Sequence, residues 1–142
     1  MTVKAIGSVL TGAVAVVLLA QSVVQAQPAA AALGSVRLPR AVMADGKMLS
    51  AGSYSLRVTS DAVTPVKGQG PEAEKWVEFV QGGQVKGREL ASVVASADIK
   101  AVAEGKPPAV NSNKVELLKG GEFLRVWSNR GSNHYLIHLM VH

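Results

Sequence analysis

KVELLKGGEFLRVW, from Lys114 to Trp127, decides how this chain is read. Two alternating runs flank Gly120-Gly121. A two-residue hairpin needs positive φ at its tip, and glycine supplies it without steric cost. With the two glycines at that tip, Lys119 faces Glu122 and Glu116 faces Arg125. Leu117 then faces Leu124, Val115 faces Val126 and Lys114 faces Trp127. Two opposite-charge pairs and two aliphatic pairs fall into register together, each worth about 0.2–1 kcal/mol. A slip of one residue turns every side chain to the wrong face. The stretch therefore predicts an antiparallel hairpin.

The neighbouring stretches read the same way. SNRGSN (Ser128 to Asn133) turns into a last strand. YSLRV (Tyr54 to Val58) sets Tyr54, Leu56 and Val58 on one face, with Ser55 and Arg57 on the other. SVRLPRAV (Ser35 to Val42) carries Pro39, which cannot donate to a ladder, so it predicts an edge or bulged strand. ADGK (Ala44 to Lys47) and Ala51-Gly52 are turn signals. WVEFV (Trp76 to Val80) and VKGRELASVVAS (Val85 to Ser96) are strands about a turn at Gly82-Gly83, a register that puts Phe79 opposite Lys86 and Val77 opposite Arg88. Asp61 to Lys75 and Lys106 to Asn113 are loops, and ADIKAVAEG (Ala97 to Gly105) is the one short helical piece. Short strands, glycine-rich turns and little helix predict an all-β chain. Its expected form is an antiparallel β-sandwich of about seven strands, the alternative being a small β-barrel.

GKMLSAGSYSLRV, from Gly46 to Val58, resembles the G-K-x-L-P-A-G-x-Y-x-L pattern of small secreted bacterial β-sandwich proteins. More loosely, it is similar to transthyretin-like and carboxypeptidase regulatory-like domains. Gly52 and Tyr54 match, while Ser50 stands for the usual proline and Ser53 for the usual threonine. The resemblance implies a turn at the glycine and a strand that begins with an inward tyrosine. It implies no catalytic residue.

The first residues point to export. Lys4 precedes an uncharged apolar run, Ala5 to Ala20, and small residues stand at Val24 and Ala26. This order predicts a secretory signal peptide over 1–26, cleaved after Ala26. A spanning helix needs about 20 apolar residues, and this run is shorter and broken by Gly7, Ser8, Thr11 and Gly12. No stable membrane anchor is therefore expected after cleavage. An Ala-rich linker over 27–34 and a β-domain over 35–142 complete the expected organisation. The chain has no cysteine, so neither a disulfide nor a lipid-modified cysteine is available. Export without disulfides suggests a bacterial periplasmic or secreted protein.

Of 142 residues, removing 26 leaves 116, enough for one domain. Removing Lys4 leaves 14 basic and 10 acidic residues, a net charge of +4. The signs are interleaved, whereas a nucleic-acid binder gathers Lys and Arg into a stripe with aromatics between them. No nucleic-acid partner is expected. Nucleophilic hydrolysis needs a Ser or Cys held by a His and an acid. Cysteine is absent, no Gly-x-Ser-x-Gly occurs, and Asp45, Asp61 and Asp98 each lie near a turn or loop. Glu72, Glu74 and Glu89 are weak acid/base candidates, read first as solvated surface. No catalytic residue and no cofactor are expected.

SNHYLIHLMVH, from Ser132 to His142, holds all three histidines. On a strand, Tyr135, Ile137, Leu139 and Val141 form a core face, opposite His134, Leu136, His138, Met140 and His142. Four strand residues span about 13 Å, so His134 and His138 cannot chelate one ion between them. His138, Met140 and His142 are the candidate ligands, with the softness that copper prefers. The stronger expectation is a partner-binding patch made by His134, Leu136, His138 and Met140. The chain is thus read as an exported, non-enzymatic binding or assembly domain, for an envelope or extracellular protein or for itself. A periplasmic copper-binding protein is the alternative, and a hydrolase a distant one.

Overall fold

The structure, a computed structural model, describes residues 31–64 and 73–142. The expected signal peptide, its cleavage site, the start of the linker, Glu72 and the middle of the loop after Asp61 lie outside the described residues.

The described chain is all-β and antiparallel, as the hairpin predicts. Its strands are β1 (Ala31–Leu38), β2 (Val42–Ala44), β3 (Lys47–Leu49), β4 (Gly52–Val58), β5 (Glu74–Gln81), β6 (Gln84–Ala95), β7 (Ser112–Leu117), β8 (Phe123–Asn129) and β9 (Asn133–Val141). A 3₁₀ turn (Ser96–Asp98) and one short helix, α1 (Ile99–Val102), follow β6. All the strands belong to one sheet that does not close. Its backbone ladder runs β1-β4-β5-β6-β9-β8-β7. The β2–β3 hairpin takes the part of β9 beyond β6, where Val42 and Met43 pair with Val141 and Met140.

The sheet doubles over one main core, as a sandwich does, although its ladder is continuous. Leu38, Val42, Leu49, Leu56, Phe79, Leu124 and Ile137 meet there, all essentially without solvent contact. Tyr54, Leu56 and Val58 point into this core, while Ser55 and Arg57 are exposed. Ile137 and Leu139 do the same on β9, with Tyr135 and Val141 packed beside them. Burial of each such side chain stabilises the fold by about 1.5–3 kcal/mol.

The two outer strands of the ladder, β1 and β7, meet through side chains instead of a ladder. The Asn113 amide donates to the carbonyls of Leu33 at 2.7 Å and Ser35 at 3.1 Å. Arg130 donates to Asn113 Oδ1 at 2.8 Å and to the Leu33 carbonyl at 3.1 Å. This contact corrects the expected linker, because Ala31 to Gly34 are already strand. Ala31 pairs with Val58, and Leu33 is buried. The register shifts between Ala32 and Ser35 around Gly34, whose φ of 79° suits a residue without a Cβ. Pro39 follows directly on β1, which is an edge strand as its sequence predicts.

Two registers differ from expectation in detail. In β7–β8, the pairs from Lys114↔Trp127 to Leu117↔Leu124 form as predicted. The tip is longer than two residues, however. Leu118 N–H donates to Phe123 O and Gly121 N–H donates to Leu118 O, both at 2.9 Å. Lys119 therefore sits inside the turn. Gly120 and Gly121 both take positive φ, 95° and 75°. In β5–β6 a bulge between Phe79 and Val80 moves Phe79 opposite Gly87, Glu78 opposite Arg88 and Val77 opposite Glu89. Packing explains the shift. Buried Leu49 lies over Gly87, where an added Cβ would stand 3.0 Å from Leu49 Cδ2. A lysine facing Phe79 inside the core would bury an unpaired charge.

Candidate functional site

The outer face of β7, β8 and β9 carries the residues singled out from the sequence, and it divides into three zones. The first is covered by its own chain. Ser96 N–H donates to Ser132 O at 2.9 Å, and Ser96 Oγ bonds the Gly131 carbonyl. These bonds bring α1 onto the sheet. Ile99 and Ala103 then close over Val94, Trp127 and Leu136, a second small core. Trp127 is fully buried and donates from Nε1 to His134 Nδ1 at 2.8 Å. Burial lowers the His134 pKa below its ordinary value. A neutral ring that accepts at Nδ1 carries its proton on Nε2.

The second zone is a charged strip. Arg125, only 8 % exposed, holds Glu116 through Nε at 2.8 Å and again through Nη2. The same Nη2 donates to the Glu104 carbonyl at 2.9 Å. Lys114 reaches Glu116 at 3.3 Å. Both cations lie against the Trp127 ring, Arg125 at 4.8 Å and Lys114 at 4.9 Å from its centroid. Burial works to raise the Glu116 pKa, but the hydrogen bond and charge of Arg125, then those of Lys114, outweigh it and hold the carboxyl low. His138 pairs with Arg125 across β8–β9. Burial, then the Arg125 charge, lowers its pKa.

The third zone is open. Phe123 pairs with Met140, Met140 with Met43, and Met43 with Met48. Directly opposed residues of an antiparallel sheet share a face, so these four form one row across β8, β9, β2 and β3. Met48 is 52 % exposed, Met140 54 % and Phe123 38 %. A shallow hollow of about 380 Å³ lies beside the row, lined by Gly121, Glu122, Phe123, Met140 and Val141. His142 is exposed at the end of β9, its N–H donating to Ala41 O at 3.0 Å.

The predicted patch of His134, Leu136, His138 and Met140 is thus not one surface. His134 and Leu136 are buried, 3 % and 2 % exposed: Ile99 and Ala103 pack over Leu136, and the Trp127 indole stands against His134. His138 and Met140 remain outside. Sequence reasoning missed Met43 and Met48. Their places two residues either side of the Asp45-Gly46 turn set them opposite one another, but no local pattern puts that hairpin beside β9.

The other candidates stay apart. Glu89 accepts from the Asp45 and Leu90 N–H groups, both at 3.0 Å. Glu74 opens β5 opposite Ser92. Asp61 pairs with Arg88 at 3.1 Å, and the Arg88 guanidinium lies 3.9 Å from the Trp76 centroid. Among the described residues, no three His, Asp or Glu side chains gather as a metal site. Nor is any described helix long and apolar enough to cross a membrane. No protein-family model, curated protein or solved structure matches this chain.

Proposed function

We propose that this chain is an exported, non-enzymatic β-domain that works by binding, through the open end of its outer C-terminal face. One observation carries the reading. Phe123, Met140, Met43 and Met48 form an apolar row across four strands and leave it in solvent, where such a row gains from being covered. The partner is an envelope or extracellular protein, or a second copy. The histidines support a role without acid/base catalysis, since His134 spends Nδ1 on Trp127 and His138 faces a guanidinium. The leader-like 1–26 segment and the Gly46 to Val58 likeness to small exported β-sandwich proteins support the export.

Sedimentation velocity of the mature chain, with crosslinking in the intact envelope, tests the proposal. Phe123→Ser with Met140→Ser should weaken self-association or partner capture and leave the circular dichroism and melting curve unchanged. Equal association by the variant and the parent overturns the binding face. Intact mass of exported material should begin at Gln27.

A further inference from the structure

We infer that the open row is a site for a soft monovalent ion, Cu(I), held by the thioethers of Met43, Met48 and Met140. The inference rests on the reading of this end as a binding face and adds an ion to it. Three of the four methionines of the chain stand in this row, the fourth being Met1. Random placement on a half-polar sheet does not require that, and a core role does not explain it, because Met48 and Met140 are more than half exposed.

The geometry suits three sulfur donors. Opposed residues on adjacent strands have Cβ atoms about 4.5–5.5 Å apart. Met43 is the middle residue, with Met48 on one side and Met140 on the other. Methionine is unbranched, with three rotatable bonds and a polarizable sulfur. The two outer side chains can therefore lean inward over Met43, each sulfur closing to about 2.3 Å, the scale of metal–sulfur bonds. The chain has no cysteine, so thioether and imidazole are its soft donors, and of the ions that soft sulfur donors take, Cu(I) is the monovalent one. Three uncharged donors beside Arg125 and His138 favour one positive charge over two. His142, two residues beyond Met140 and opposite small Ala41, can supply a fourth donor from the strand end.

The test uses the tag-free mature chain at concentrations where sedimentation shows monomer, so ion binding and association are read separately. The probes are Cu(I) with a chromophoric competitor, and Ag(I), which is soft and redox-stable. One ion per chain should bind, and the ε-methyl resonances of Met43, Met48 and Met140 should shift together. Met43→Leu, Met48→Leu and Met140→Leu should each weaken binding at least tenfold, and the triple variant at least a hundredfold, with the fold kept by circular dichroism. Three results overturn the site. One is binding by the parent no tighter than by the triple variant. Another is a shift confined to a single methionine. The third is binding that survives the triple variant and is lost in His138→Ala/His142→Ala. Association of the parent without ion binding leaves the proposed binding face standing and removes only the ion.

Discussion

The indole N–H of Trp127 donates to Nδ1 of His134 at 2.8 Å, and the Trp127 ring packs in one buried cluster with Ile99 and Ala103. The bond needs His134 neutral at Nδ1, since a protonated imidazole has no acceptor. It ties the setting of the Trp127 ring to the charge state of one imidazole.

Stability should therefore fall on mild acidification. Burial lowers the His134 pKa from the ordinary 6.5, and burial with the Arg125 charge lowers that of His138. The unfolded chain then binds protons first, so stability is complete above about pH 6.5 and is lost as pH falls below it. Urea midpoints between pH 8 and pH 5 should show this slope. His134→Asn keeps an acceptor for Trp127 and cannot titrate, so it should flatten the slope in part, and His138→Asn should remove more. An unchanged slope in the double variant would place the pH response elsewhere.

Glu116 should govern a second, more acidic limb. Its folded pKa lies below the ordinary 4.5, so the stability it contributes is present above that value and is lost as pH falls through the folded one. Glu116→Gln should abolish this limb. Arg125→Ala, which removes the guanidinium from Glu116 and from the Glu104 carbonyl and leaves Glu116 with Lys114, should cost about 1.5–3 kcal/mol at pH 7, the scale of hydrogen bonds to charged groups. Chemical denaturation of both variants is the measurement.

Asn113 should act as the clasp between β1 and β7. Asn113→Ala removes both donations to β1 and the acceptor for Arg130. Amide exchange within Ala31–Leu38 should quicken, while β8 and β9, paired on the far side of β7, stay protected. Uniform acceleration through all strands would show that the seam is not a separate unit of opening.

Tyr54 should be worth as much as any core aromatic. It is 2 % exposed, stands edge-on to Phe79 with centroids 6.1 Å apart, and donates its hydroxyl to the Ser50 carbonyl at 2.7 Å. Tyr54→Ala should cost about 3–5 kcal/mol, and Tyr54→Phe about 0.5–1.5 kcal/mol for the hydroxyl bond alone. A loss below about 1 kcal/mol for the alanine variant would deny the inward packing.

The sequence by itself determined whatever depends on neighbours along the chain. The β7–β8 pairs, the Asp45-Gly46 and Gly82-Gly83 turns and the inward faces of β4 and β9 follow from a two-residue period and from turns that bring adjacent runs together. Tertiary structure alone decided the rest. Seating β2 beside β9 aligned Met43 with Met140, two residues 97 positions apart whose local patterns carry no mark of one another. Folding α1 back buried Leu136, which a bare strand would present to solvent. Leu49 resting on Gly87 accompanies a bulge that an ideal two-residue turn does not contain. In each case the deciding energy is burial between distant segments, and burial is non-directional, so no short stretch of sequence encodes which surface will be covered.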